Sequence, residues 1–443
     1  MPNPAAPTDA CDVAVIGAGG AGLLAGLAAA RSGARTILYE RMPKPARKVA
    51  ISGGGRCNFT NSLPPREFVK HFGDPQVKHL GRALSAFSKD DLIEMLSRYG
   101  VEGQLERHYR LYTKSGRGQD VVDALVQEFQ KAGGTLLTCV RVRDLKAEAG
   151  AFALALQLNA PAPGKQPDPK KAPQEALHRA RAVVVCTGGL SYPATGSTGD
   201  GYEWARAFGH PVSVLKPALV GLQTEEEWPK HLTGLAWEDA AVTLRALDAP
   251  ANAKPLAKER MEILLTHFGI SGPAILDISN AYVRSGLERA RLEIDFFPDQ
   301  PREALDEELR ARFQQSPGRT LSRALDGLLP TRLLEYFEHA LGSEGNVPVA
   351  RLPKALRFKI LDGLKASRLT ITGTRGMEFG EVTAGGLEWA EVDPSTMQSR
   401  RVPGLYFAGE ILDVAGRCGG FNLQAAFSSG YLAGQEAAKF ART

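Results

Sequence analysis

The 443-residue sequence predicts an α/β protein whose parallel-sheet domain is built from both chain ends. A β-rich, barrel-like domain is inserted between those ends and carries a small helical subdomain. Three observations predict this. A glycine-rich turn joins an apolar strand to a helix near the N-terminus, and a second strand ending in Gly409-Glu410 precedes a helix near the C-terminus. Between them, near Pro211, alternating strands and helices give way to short strand-like runs separated by turns.

Val13-Ala14-Val15-Ile16 has the unbroken apolar character of a strand buried on both faces. It runs into Gly17-Ala18-Gly19-Gly20-Ala21-Gly22 and a helix over residues 21–30. In this G-x-G-x-x-G the first glycine permits the tight turn and the second admits a pyrophosphate to the backbone. The third lets helix and strand pack closely, so that the helix N-terminus holds the phosphates. The next strand, Thr36-Ile37-Leu38-Tyr39, ends in Glu40, 18 residues after Gly22. An acid at that spacing binds an unphosphorylated adenosine ribose and repels a 2′-phosphate. The segment is a dinucleotide-binding Rossmann turn.

Length allows two or three domains, and 43% apolar with 23% charged residues suits a soluble enzyme. The stretch 21–30 is half a membrane span, and residues 1–11 lack the basic start and apolar core of a signal peptide. Five scattered cysteines suit reduced thiols in a cytoplasm, and no Cys/His spacing predicts a metal site. Net charge is +5, yet residues 346–376 hold Arg351, Lys354, Arg357, Lys359, Lys365, Arg368 and Arg375 against Asp362 alone. A solvated helix face accounts for this excess of six; so does a docking patch for an anionic partner, RNA included, through Arg351, Lys354, Arg357 and Lys359.

Along the chain, Arg47 to Asn61 contains Gly53-Gly54-Gly55 and a dense polar cluster, which suits backbone in close touch with a ligand. Helices are expected over 88–99 and 121–132, a parallel strand over 135–139, antiparallel strands over 142–147 and 152–158, and a disordered loop over 159–176. The strand 182–186 ends in Thr187-Gly188-Gly189, where the chain crosses under the cofactor. Residues 211–300 read as the β-rich insert and 301–367 as helical, with helices at 303–313, 321–329, 331–341 and 353–366. Residues 368–375 return to the β part; 1–210 and 376–443 form the cofactor domain. No second G-x-G-x-x-G follows a strand, so no separate NAD(P) domain is expected.

The C-terminal element decides which dinucleotide. A carboxylate at Glu410 can bond a ribityl hydroxyl, and Gly419-Gly420 brings a final helix to a flavin's pyrimidine edge, where its dipole stabilises an anionic reduced flavin. NAD needs no such element; FAD does.

Ile51-Ser-Gly-Gly-Gly-Arg-Cys-Asn-Phe-Thr-Asn61, Thr266-His-Phe-Gly-Ile-Ser-Gly-Pro273, Glu381-Val-Thr-Ala-Gly-Gly386 and Gly409-Glu-Ile-Leu-Asp413 with Gly419-Gly-Phe-Asn-Leu-Gln424 resemble the YhiN/BaiN-type flavoproteins, catalogued as aminoacetone oxidase family FAD-binding enzymes. The resemblance spans nearly the whole chain. Where that family commonly has GGYN this chain has Phe421, without the phenol hydroxyl. The resemblance implies non-covalent FAD and reduction of an activated C=C bond, in a 3-oxo-Δ4,6 bile acid or a uracil of ribosomal RNA, with aminoacetone oxidation as a third activity. NAD(P)H is then a transient electron donor. A non-catalytic, RNA-binding flavoprotein is the reading from another class. The cofactor-binding set expected is Gly17, Ala18, Gly19, Gly20, Ala21, Gly22, Glu40, Arg41, Lys48, Gly54, Arg56, Cys57, Asn58, Val142, Thr187, Gly188, Gly409, Glu410, Asp413, Gly420, Phe421, Asn422 and Leu423.

Saturating an enone or uracil takes hydride at the β carbon and a proton at the α carbon, so a proton donor must face the flavin. Cys57, Tyr192 and His267 are the candidates. Arg56 is expected to lower the pKa of Cys57, although a small residue packed beside FAD fits equally. No second cysteine lies close enough for a dithiol relay. His267 stands in a Gly/Ser/Pro-rich turn, facing substrate or bonded structurally, and Tyr192 follows the Thr187-Gly-Gly crossing.

Overall fold

The computed structural model describes residues 10–72, 76–165, 173–250, 252–340 and 347–443. The chain forms two units: one takes the residues up to Pro217 together with Met377–Thr443, the other Ala218–Gly376.

The first unit is built on a seven-stranded sheet. Its strands are β1 (Ala10–Ile16), β2 (Thr36–Glu40), β3 (Thr135–Thr138), β4 (Val140–Glu148), β5 (Ala151–Leu158), β6 (Gln174–Val185) and β7 (Leu405–Phe407). The order is β3-β2-β1-β6-β5-β4, with β7 also on β6. β3, β2, β1, β6 and β7 pair in parallel, and β4 and β5 join antiparallel. Val13 to Ile16 and Val183 to Val185 are buried throughout, as strands covered on both faces must be.

β6 starts eight residues before the expected 182. Residues 174–180 pair antiparallel with β5, and 183–185 pair in parallel with β7. The loop expected over 159–176 is therefore strand from Gln174 onward, while 166–172 lie outside the described residues. His178 conceals this in the sequence. It is a polar residue at a buried position of an alternating strand, and its Nδ1 lies 2.9 Å from the Tyr39 hydroxyl.

The first helix, Gly20–Arg31, is buried from Gly20 to Ala30, because sheet and helices close on it from several sides. The terminal helix, Phe421–Arg442, packs along it. A Cβ at Gly430 would overlap the Ala21 carbonyl, and one at Gly434 the Ala25 carbonyl. Gly20 faces Phe427 in the same progression, so the two helices run parallel. On the other side, Phe129 of the helix Gly118–Lys131 fills the space over Gly26. The expected helix over 88–99 is Lys89–Ser97, with Ser88 outside it as the cap: its hydroxyl accepts from the Asp91 amide at 3.2 Å. A three-stranded sheet of Asn58–Asn61, Arg110–Thr113 and Gly103–Glu106 was not expected.

The second unit is a closed barrel of six antiparallel strands. In spatial order they are Leu222–Thr224, Gly269–Ser271, Ala257–Thr266, Ala236–Ala246, Ala290–Asp295 and Ser367–Thr374, the last closing on the first. Val242, Leu244, Ile263, Leu292, Ile294, Leu369 and Ile371 alternate with exposed or half-buried residues and fill the interior. The helix Pro273–Ser285 packs on the barrel within a stretch expected to be strands. Helices Arg302–Gln315, Leu321–Ala324, Thr331–Ala340 and Lys354–Lys365 follow. The second is only one turn long, since Gly327 takes φ +79° and Pro330 follows. Residue 341 lies outside the described residues. The Lys365 ammonium donates to Asp295 Oδ2 (2.6 Å) and to the Phe297 and Gln300 carbonyls (2.8 Å each), fixing this helical segment to a barrel strand. No described helix is long and apolar enough to cross a membrane.

The seam between the first and terminal helices leaves no room for a methyl group. Gly430→Ala is expected to lower stability by about 1–3 kcal/mol and to weaken cofactor retention. Gly318→Ala, where a Cβ meets open space, serves as the control in thermal unfolding.

Candidate functional site

The glycine turn divides its work as its spacing predicts. Gly17 sits at φ +96°, and a Cβ there would lie 2.6 Å from the Cys186 carbonyl oxygen. A Cβ at Gly22 would overlap the Gly17 carbonyl, whereas one at Gly19 meets nothing within 4 Å. Open space therefore lies over Gly19 at the N-terminus of the first helix, whose opening amides have no side-chain cap. Glu40, buried, accepts from the Ala18 amide through Oε2 and from the Met42 amide through Oε1, both at 2.8 Å. Burial raises its carboxyl pKa against the pull of those amides and of Arg41 and Arg47. Glu40 thus braces the turn and keeps further lone pairs for a ribose.

Behind it, the Arg41 guanidinium bonds Thr198 and Asp200 (3.1 Å), and Arg141 reaches the other Asp200 oxygen at 3.2 Å. Val142 is buried in β4. Past β6, Gly188 takes φ +72°, and the Thr187 hydroxyl is buried without a hydrogen-bond partner.

At the far end Glu410 anchors a polar network. Its Oε2 is 2.9 Å from the Lys48 ammonium, and its Oε1 accepts from Ser191 Oγ at 2.7 Å and the Thr383 amide at 2.8 Å. Lys48 also donates to Ser191 Oγ at 2.8 Å. Burial alone would raise the Glu410 carboxyl; Lys48, Ser191 and Thr383 outweigh it and hold the group below the ordinary range. Asp413 accepts from the Gly385 amide at 3.1 Å. The Gly409 amide donates to Ser429 Oγ at 3.1 Å, joining the β7 exit to the terminal helix.

The Gly-rich loop and the terminal helix meet directly. Thr60 Oγ1 donates to Gln424 Oε1 at 2.7 Å, and Asn61 Nδ2 to the Gly419 carbonyl at 3.0 Å. With its amide turned to satisfy both ends, Asn58 accepts from the Gly420 amide at 3.1 Å. Gly420, at φ +86°, lies against Thr60 so closely that a Cβ would strike its backbone. Asn422 ties down the preceding loop: its Oδ1 accepts from the Gly416 amide at 2.8 Å. Leu423 follows in the first helical turn, which has no side-chain cap. Phe421 is buried among Phe68, Phe72 and a stacked His71, ring centroids 4.3 Å apart for the last. Open space also surrounds Gly54 and Gly55.

A cleft floored by glycines, with a ribose-ready carboxylate at one end and an uncapped second helix at the other, fits FAD. Gly17 to Gly22 and Glu40 would hold its adenosine diphosphate half. Gly409, Glu410 and the start of the terminal helix would hold its ribityl chain and flavin.

The proton-donor candidates fare differently. Cys57 is buried, with φ +54°, and burial pushes its thiol up to about 11 despite a hydrogen bond with Ser52. Arg56 does not activate it: the guanidinium pairs with Glu106 at 2.6 Å and lies 4.1 Å over the Tyr112 ring. The expectation that Arg56 lowers the Cys57 pKa is corrected, because desolvation wins over a charge turned elsewhere. Tyr192 is half-buried at φ +51°, its amide bonded to the Met377 carbonyl. His267 is exposed at the tip of a barrel hairpin, edge-on to Phe268.

Residue Glu381, absent from the expected set, has its carbonyl 3.4 Å from Ser191 Oγ. Its side chain reaches solvent inside a cleft, where surrounding protein raises the carboxyl against Arg110 and Lys48. Only its place beside Thr383 in the quoted motif hinted at this. Ser399, His210 and Glu391 line up like a hydrolytic relay, with Ser399 Oγ 2.9 Å from His210 Nε2 and Glu391 Oε2 3.0 Å from Nδ1. Ser399 Oγ is buried and already accepts from the Arg401 and Val402 amides, so the relay clamps a loop.

The basic stretch is partly consumed inside its own unit. Arg357 pairs with Asp306 at 2.9 Å, Lys365 with Asp295, and Arg375 lies 4.7 Å over Phe268. Arg357 is thus removed from the expected contact set, because Asp306 already neutralises it; Arg351, Lys354 and Lys359 are exposed.

A model of the HI0933-like protein Rossmann domain matches residues 11–436. The chain belongs to that HI0933-like family. Proteins similar to this chain include the 3-dehydro-bile acid delta(4,6)-reductase of Clostridium scindens, 30% identical over 96% of this chain and 99% of the relative. The ribosomal RNA dihydrouridine synthase of Haemophilus influenzae is 32% identical over 94% and 96%. That of Escherichia coli is 32% identical over 96% and 97%. The protein is an FAD-dependent oxidoreductase with a Rossmann-type cofactor domain.

Two outcomes test this site. Glu40→Arg should strip FAD from the purified, otherwise yellow protein, since it removes the ribose acceptor and the brace on Ala18; absorbance after desalting reads it. Native Cys57 should resist iodoacetamide at pH 7.5 and react only on unfolding, as peptide mass mapping would show.

Proposed function

We propose that the enzyme saturates an activated C=C bond, with the uracil ring of structured ribosomal RNA as substrate and NAD(P)H as electron donor. When bound, FAD supplies the hydride. The chain's part is to hold that group between Glu40 and the terminal helix and to offer a proton beside it. The reading is supported chiefly by likeness to two ribosomal RNA dihydrouridine synthases over nearly their whole lengths. The exposed Arg351, Lys354 and Lys359, with no ion pair to an acid among the described residues, suit phosphate contacts. A stacked base is out of reach of a flavin, so the nucleotide must flip, at a cost of a few kcal/mol that such contacts offset. With no second Rossmann motif in the sequence, the nicotinamide donor binds transiently from the substrate side.

One observation favours a second reading, a small-molecule enone: the bile-acid reductase is 30% identical across 99% of its length. Aminoacetone oxidation and a non-catalytic RNA-binding role have no such support beyond the motif resemblance.

Deleting the gene and measuring dihydrouridine in ribosomal RNA by mass spectrometry decides between them. Dihydrouridine should disappear and return with the wild-type gene. An Arg351/Lys354/Lys359→Glu version should restore it poorly, and its RNA binding in vitro should be weaker and fall less steeply with salt than that of the wild type. Unchanged dihydrouridine in the deletion strain rejects the RNA substrate; equal rescue by both versions rejects the patch. NADH or NADPH should bleach the yellow enzyme anaerobically, with no tight stoichiometric binding by calorimetry.

A further inference from the structure

His108 and Tyr109 join the strands Gly103–Glu106 and Arg110–Thr113, and their φ angles are +60° and +61°. Among the described residues they are the only adjacent non-glycine pair with positive φ. Residues with a Cβ enter this region singly, and at a cost in free energy. Two bonds hold the turn in place. Asn61 Nδ2 donates to the His108 carbonyl at 3.2 Å, and the Ser62 amide donates to the Tyr109 carbonyl at 2.8 Å.

Asn61 ties this turn to the flavin end of the cleft. The same Nδ2 donates to the Gly419 carbonyl at 3.0 Å, in the glycine pair that opens the terminal helix. The strained turn is therefore bonded, through one side chain, to the cradle for the flavin. Yet its aromatic ring is not packed away: Tyr109 is 58% exposed, and Leu105 on the facing strand is 60% exposed.

A turn that only had to reverse the chain would be better served by glycine, which takes positive φ without strain. A strained backbone that presents a large exposed aromatic beside a cofactor cleft serves a ligand. We propose that Tyr109 is a stacking platform for a base of the RNA substrate, next to the nucleotide being reduced. The choice of RNA rests on the function proposed above; the platform rests on the turn. An aromatic ring suits this use because every base offers it a π face, whatever the sequence.

The test compares Tyr109→Gly, Tyr109→Leu and Tyr109→Phe in the full-length, FAD-loaded protein. It reads FAD content, thermal midpoint and the Kd for a fluorescein-labelled, uridine-rich single-stranded RNA by anisotropy. Tyr109→Gly should keep its FAD and melt about 2 °C higher, because strain is relieved. Its Kd for RNA should nevertheless rise roughly tenfold. Tyr109→Phe should bind like wild type and Tyr109→Leu between the two. Unchanged RNA affinity in Tyr109→Gly overturns the platform and leaves the RNA substrate standing. Loss of FAD in that variant also overturns it, since the turn would then serve the cofactor. A wild-type protein that binds no RNA rejects both proposals together.

Discussion

Backbone-to-backbone contact between the first and terminal helices is the constraint on which the cofactor domain depends. Gly430 and Gly434 let the terminal helix lie against the Ala21 and Ala25 carbonyls, separated from them by about 400 residues of chain. Since the helices run parallel, both present their N-termini at the same end. The terminal helix starts eight residues further out along the shared direction, about 12 Å at 1.5 Å per residue. Two positive helix ends are thereby staggered along one cleft. The inner one suits phosphates and the outer one an electron-rich ring. Gly20, facing Phe427, and Gly409, facing Ala21, extend the same seam.

Charge in the cleft is arranged by burial as much as by pairing. Glu40 and Glu410 are both carboxylates at strand ends, yet their pKa values move in opposite directions. Glu40 has two backbone amides as its partners, and desolvation prevails. Glu410 has an ammonium, a hydroxyl and an amide, and pairing prevails. Removing Lys48 from such a buried pair would cost more than the pair contributes, because it would strand the carboxylate. Cys57 belongs to the same account: beside an arginine in sequence, it is shielded from it in space.

What the sequence revealed, it revealed through short-range rules. The glycine turn, Glu40 and the return of the cofactor domain at Gly409-Glu410 follow from local spacing and appear where expected. So does the antiparallel pair β4 and β5, despite a register shift between Val142 and Asp144. The failures are tertiary. β6 hid its first half behind His178, whose burial is eased by a hydrogen bond with Tyr39, 139 residues away. Arg56 and Arg357 sit in suggestive sequence neighbourhoods, but Glu106 and Asp306 draw them elsewhere. Glu381 carried only the hint of its motif, because its environment is assembled from Arg110 and Lys48 on other segments.

The shared edge of β6 also governs when this domain can form. Residues 174–180 pair with β5, which ends at Leu158, but 183–185 wait for β7 at 405–407. During synthesis the strands β1 to β6 emerge with one edge half covered. Meanwhile the alanine-rich first helix lacks the helix that will bury its outer side. Both remain exposed until the ribosome has completed the whole 218–376 unit. The inserted unit has all its barrel strands in that interval, before the surrounding domain can complete its sheet. Truncation between residues 376 and 405 would then leave a finished barrel attached to a sheet with a bare, adhesive edge.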